Sequence, residues 1–152
     1  MNANFFEVKV KYTKVGEDGR EKKVSELYLL DAMSFTEAES RITEILKEMI
    51  QGDFHITGIK PSNITELVKS TDENDDKWFK AKVAIIDCDN ISGREKRSNQ
   101  YFLVAGADID KALKNLQASL STWVVPFDTV QVGDSNIVDV FPYFNEDETT
   151  TK

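Results

Sequence analysis

The residues whose types and spacing could do chemistry in this chain are cations and rings placed on strands. Lys9 and Lys11 alternate with Val8, Val10 and Tyr12, so both lysines fall on one face of an extended segment. Lys80 and Lys82 repeat the pair further on. Arg20, Lys22 and Lys23 follow the first pair, and Arg94, Lys96 and Arg97 follow the second. Phe5, Tyr12 and Tyr28 accompany one set, and Trp78, Tyr101 and Phe102 the other. Cations along a strand track phosphates, and nearby rings stack on unpaired bases, which is the chemistry of binding single-stranded DNA or RNA. The contact residues expected on this reading are Lys9, Lys11, Arg20, Lys22, Lys23, Tyr28, Lys80, Lys82, Arg94, Lys96, Arg97 and Tyr101. A plain structural explanation competes with it. Lysines on an outer strand face keep an edge soluble, and rings on hairpins commonly fill a core.

Other chemistry finds little to work with. One histidine and one cysteine cannot supply a zinc site. Asp87-Cys88-Asp89 is followed by Ile91 and Ser92, where a calcium loop needs an oxygen ligand and then glycine. A nucleophile needs a positioned base. His55 stands without a flanking motif, and Cys88 sits between two carboxylates, which oppose thiolate formation. Asp108 and Asp110 read as helix-start residues favoured by the helix dipole. The sequence therefore predicts no catalytic residue, no metal, no cofactor and no enzymatic activity.

The elements that position the cations are written twice. FFEVKVKYTK, a turn at Gly19 and KVSELYLL are answered by WFKAKVAIID, a turn at Gly93 and RSNQYFLV. Phe6, Val8, Lys9 and Val10 match Phe79, Ala81, Lys82 and Val83, and Ala38 matches Ala112. Period-two alternation with β-branched and aromatic residues predicts a hairpin in each copy. The period then lengthens. Ser34-Phe35-Thr36-Glu37 has the form of a capping box, and apolar residues at helical spacing predict a helix over 35–51, closed by Gly52. Asp108 caps the second helix, and the faces carrying Ile42, Ile45 and Met49, and Leu113, Leu116 and Leu120, should be buried. Two short strands close each copy, broken in the first by Pro61-Ser62-Asn63. The fold class expected is α+β: duplicated ββαββ halves forming a pseudo-two-fold antiparallel sheet domain with two helices. The boundaries expected are a first repeat over 1–69, an acidic linker over 70–77, a second repeat over 78–144 and an acidic flexible tail over 145–152.

Composition fits this plan. With 152 residues, 40% hydrophobic and 30% charged, the chain can fold as one domain or as two small ones. The net charge of −8 is unevenly spread. Residues 72–77 contribute −3 and residues 146–152 contribute −2, so the remainder is only mildly acidic and does not exclude a polyanionic partner. No apolar run approaches the roughly 18 residues of a membrane helix. The opening MNANFFEVKV lacks the plan of a signal peptide, and a single cysteine makes no internal disulfide, so a cytoplasmic location is expected.

Two resemblances follow from these residues. Read across the linker, the order helix, four strands, helix resembles the ββββα plan of two families of single-stranded nucleic-acid binders, the positive-cofactor-four type and the whirly type. The phrases WFKAKV, KVSELYLLDAMSFTEAESRI, NQYFLVAGADIDKALKNL and NIVDVFPY resemble an uncharacterised family of small, internally duplicated proteins of Bacteroidetes bacteria and their phages. That second resemblance runs from about Phe5 to Tyr143, and it implies a cytosolic protein that is not an enzyme. The function expected is non-enzymatic binding of single-stranded nucleic acid by two basic and aromatic hairpins. The alternative is a protein-interaction or regulatory module, whose partner docks Val140–Phe144 or the acidic tail.

Overall fold

A computed structural model describes residues 4–142, which form two compact units. Each is a four-stranded sheet with one helix on one of its faces. The described chain runs β1 (Asn4–Val15), β2 (Glu21–Ala32), α1 (Phe35–Met49), β3 (Phe54–Pro61), β4 (Ile64–Val68), β5 (Lys77–Cys88), β6 (Glu95–Gly106), α2 (Ile109–Leu120), β7 (Phe127–Asp134) and β8 (Ile137–Phe141). The α+β class and the repeated ββαββ order are those the sequence predicts.

The units do not coincide with the repeats. One sheet has the order β3-β1-β2-β8 and the other β4-β6-β5-β7, so each repeat sends its last strand into the other repeat's sheet. The chain leaves the first unit after Ser62 and returns at Asn136. A two-residue link explains this. Ser62 and Asn63 separate β3 from β4, and two residues reach at most about 7 Å. A place beside β2 would put β4 parallel to β3 on the far edge of one sheet. Such a connection needs a crossover of about a dozen residues. The exchanged strands run parallel to their neighbours, with Leu29 opposite Val140 and Leu67 opposite Leu103. The expected antiparallel sheet is thus two sheets, each antiparallel except at one edge.

In the first unit Phe6, Val8 and Val10 of β1 and Tyr28, Leu30 and Ala32 of β2 bury one sheet face against Ala38, Ile42 and Leu46 of α1. In the second, Phe79, Ala81 and Val83 with Phe102 and Val104 pack on Ala112, Leu116 and Leu120. A fully buried leucine or isoleucine contributes about 1.5–3 kcal/mol. The buried stripes correct the expected ones. Met49 is exposed and Ile45 and Leu113 are only half-buried, because the i, i+4, i+8 row, not the i, i+3, i+7 row, meets the sheet.

The helix starts are as the sequence predicts. Ser34 Oγ accepts from Glu37 N at 3.1 Å, while Glu37 Oε1 accepts from Met33 N at 3.1 Å. Asp108 Oδ1 accepts from Lys111 N at 2.8 Å. One glycine is required by contact: a Cβ on Gly106 would lie 2.7 Å from the backbone nitrogen of Ala112.

Candidate nucleic-acid interface

Strand alternation decides which cations share a surface. With odd-numbered residues of β1 and β2 turned away from α1, the opposite face of the first sheet carries Lys9, Lys11 and Lys23; it is covered at Glu7 and Leu29 and open toward the hairpin end. β3 pairs with β1 on the other side and brings two further groups to that face. His55 stands opposite Lys11, and Lys60 opposite Glu7. All four lysines and His55 are exposed. Glu7 is the buried acid among them; it accepts from Ser62 Oγ at 2.7 Å and lies 3.9 Å from the Lys60 ammonium. A depression of about 540 Å³ opens here, lined by Glu7, Lys9, Leu27, Gly58, Lys60 and Asn136 among others. Asn136 adopts a left-handed backbone, with φ of 59°.

The corresponding face of the second sheet, covered at Leu103 and Ala84, has a different chemistry. Register places Lys82 opposite both Tyr101 and Gln131, and Ala84 opposite Asn99 and Asp128. Arg97 pairs with Asp128 at 3.0 Å, so its charge is compensated on the face itself. Lys80 and Lys82 are half-buried. Their match to Lys9 and Lys11 also needs correction. With Phe6 equivalent to Phe79, Lys82 answers Lys9, Lys80 answers Glu7, and Ala84 stands where Lys11 does.

The remaining expected contacts divide in the same way. Arg20, Lys22, Arg94 and Lys96 lie exposed toward the hairpin tips, with Arg20 Nε 3.7 Å from Asp18. Lys22 stands opposite Lys14 on the side that α1 covers further along. Tyr28 is corrected outright: it is a core residue. Its ring stacks on Phe141 with centroids 5.5 Å apart, and its hydroxyl donates to Glu26 Oε1 at 2.8 Å. Glu26 also accepts from Tyr12 at 2.6 Å. Burial, then the hydrogen bond and charge of Glu26, push the Tyr12 phenol up to about 12 and the Tyr28 phenol upward as well. Tyr101, half-buried on the open face, remains accessible.

The linker is not merely a solvated spacer. The Asp75 side chain is fully covered and accepts from Ser70 Oγ, Lys111 Nζ, Asn115 Nδ2 and the backbone nitrogen of Ala107. The Ser70 hydroxyl, acting with Lys111 and Asn115 against the cost of burial, holds its carboxyl at about 2. Asp72 accepts from Asn74 N at 2.9 Å and from Lys111 at 3.1 Å, and is held low by these in that order. Sequence reasoning missed Lys60, His55 and this anchor. Of the expected docking phrase, Val140 and Phe141 are built into β8, while Tyr143, Phe144 and the tail over 145–152 lie outside the described residues.

A family model described as a domain of unknown function, DUF4494, matches residues 4–143. The chain belongs to this family. No curated protein and no solved structure matches it. In this DUF4494 chain no described helix is long and apolar enough to cross a membrane. Among the described residues no group of three or more His, Cys, Asp and Glu side chains is placed to hold a metal ion. Cys88 is exposed at the end of β5.

Proposed function

We propose that this protein is a cytosolic, non-enzymatic binder of single-stranded nucleic acid, and that the open face of its first sheet is the main contact surface. One observation carries the reading: Lys9, Lys11, Lys23 and Lys60 come from three adjacent strands and stand exposed on one face. Four ammonium groups on a pleated surface suit a flexible phosphate backbone, which can settle into the pleat as a stiff duplex cannot. Tyr28 is buried, and of the rings named with it only Phe5, half-buried at the start of β1, shares this face, so the contacts here are chiefly to phosphate. The resemblance to proteins of Bacteroidetes bacteria and their phages is in keeping with a role in handling exposed strands.

Fluorescence anisotropy with a labelled single-stranded oligonucleotide tests this. Four phosphate contacts give a log–log salt slope of about −3. Replacing Lys9, Lys11, Lys23 and Lys60 together by alanine is expected to bring the slope close to zero. The substitutions are on a solvent face, where stability usually moves by no more than about 0.5 kcal/mol each. No measurable binding by the unaltered protein at about 50 mM salt overturns the proposal.

A further inference from the structure

Gly58 lies inside β3, where a glycine weakens pairing and commonly marks a bulge or the close approach of a ligand. A bulge is present, since β3 slips against β1 between Lys9 and Val10, with Gly58 opposite Lys9. The bulge does not call for glycine. At the same point of the second repeat β7 slips against β5 between Lys82 and Val83, and there Gln131 stands opposite Lys82. The backbone of Gly58 is outside the left-handed region, and a Cβ on it would meet no atom within 4 Å. What the missing side chain leaves is space, in the wall of the depression of about 540 Å³. Leu27 and Ser25 line the same depression and are smaller than their counterparts, Tyr101 and Asn99. Lys60 against Gly133 runs the other way, but the Lys60 side chain is largely exposed and belongs to the rim.

Every lining residue belongs to the first unit, and the volume falls within the roughly 300–1,000 Å³ of small-ligand sites. Lys9 and Lys60 bring ammonium groups from two adjacent strands, and Leu27 supplies apolar wall. Glu7, only 7% exposed, presents a carboxylate that accepts from Ser62 Oγ and lies 3.9 Å from Lys60. A carboxylate accepts hydrogen bonds and donates none, so it favours an amino group and opposes a carbonyl oxygen. Cytosine carries an exocyclic amino group where uracil and thymine carry an oxygen. We propose that the depression seats one nucleotide of a bound strand, with Lys9 and Lys60 on its phosphate and Glu7 accepting from the amino group of its base, so that cytosine is favoured over uracil. This rests on the single-strand reading above and adds a base preference that phosphate contacts alone do not give.

The test uses the full chain and two labelled strands of equal length, oligodeoxycytidine and oligodeoxyuridine, which differ at the base edge that Glu7 would meet. The unaltered protein is expected to bind the cytidine strand about 10- to 100-fold more tightly, the discrimination that a hydrogen bond to a charged group provides. Gly58→Gln places in the depression the residue that β7 already carries at the equivalent bulge, so the backbone can hold it. This variant should lose the preference by weakening on the cytidine strand. Its salt slope, set by the lysines, should stay, and an unchanged Tm shows that it is folded. Equal affinity of the unaltered protein for the two strands overturns the seat while leaving single-strand binding intact. So does a preference that a folded Gly58→Gln variant keeps in full. Failure of the unaltered protein to bind either strand overturns the underlying reading, and this inference with it.

Discussion

Gly106→Ala is the smallest change that tests how α2 is seated. The added methyl would lie 2.7 Å from Ala112 N, and 2.9 Å from both its Cα and its Cβ. Two of these three atoms are helix backbone, so no rotamer change relieves the contact. To restore ordinary separation the first turn of α2 must retreat by roughly 0.7 Å, which loosens the packing of Ala112, Leu116 and Leu120. Overpacking of this kind costs about 1–3 kcal/mol. The backbone at Gly106 is one that alanine adopts, so the stiffer unfolded chain returns about 0.4–1 kcal/mol. The net loss is about 1–2 kcal/mol, or a fall of about 2–8 °C in Tm for a chain of this length. Differential scanning calorimetry reads it. Adding Ala112→Gly removes the methyl on the helix but leaves its N and Cα in place, so rescue should be partial. Complete rescue, or a stabilised Gly106→Ala, refutes the view that backbone contact sets the helix height. The open face carries none of these atoms, so oligonucleotide affinity and salt slope should not move.

Three further outcomes are expected. The Asp75 carboxyl is held at about 2, so its stabilising effect is present above the ordinary value of 3.8 and is lost as pH falls toward 2. Tm should therefore drop across that window, and Asp75→Asn should lower Tm at neutral pH and flatten the drop. Tyr28→Phe removes one hydrogen bond to Glu26 while keeping the ring against Phe141, so it should cost about 1 kcal/mol in urea unfolding and leave oligonucleotide binding unchanged. Deleting Asn145–Lys152 removes three acids and one base. If that charge competes with phosphate, binding should tighten, most clearly at low salt, and no change at about 20 mM salt would show that it does not.

Much of the fold was legible because the hairpin alternation and the capped helices recur at nearly constant spacing, and a pattern written twice is hard to misread. Tyr28 was also legible in principle. It shares parity with Leu30, which places it on the buried side of β2, so its chemistry gave the wrong answer where its position gave the right one. Other features depend on long-range pairing that local pattern does not encode. Lys60 and His55 join Lys9 and Lys11 only because β3 pairs with β1, across a register shift between Lys9 and Val10. The Asp75 anchor needs Lys111 and Asn115, about forty residues away. The exchange of β4 and β8 lies between these cases. No residue announces it, yet two residues between β3 and β4 leave the chain no route to the far edge of its own sheet.

That exchange bears on how the two faces came to differ. In a symmetric dimer of a single ββαββ chain, every substitution on the open face would appear twice, because one sequence builds both subunits. A duplicated chain is freed from that constraint, and its substitutions fall where the constraint is lightest. Core positions keep their type across the repeat: Phe6 and Phe79, Val10 and Val83, Ala38 and Ala112, Ile42 and Leu116, Leu46 and Leu120. The exchanged strands keep theirs too, since Ile64 and Ile137 are both buried and each completes a sheet it does not begin. Mutual completion ties the two halves together: a half that lost its exchanged strand would open an edge in the other's sheet. On the faces away from the helices the covered position is kept as well, Leu29 against Leu103, and only around it do lysine, histidine and glycine stand against alanine, aspartate and glutamine. Strand exchange thus holds the fold in common while individual charges drift: Lys11 gives way to Ala84 and Lys60 to Gly133, whereas Glu7 gives way to Lys80.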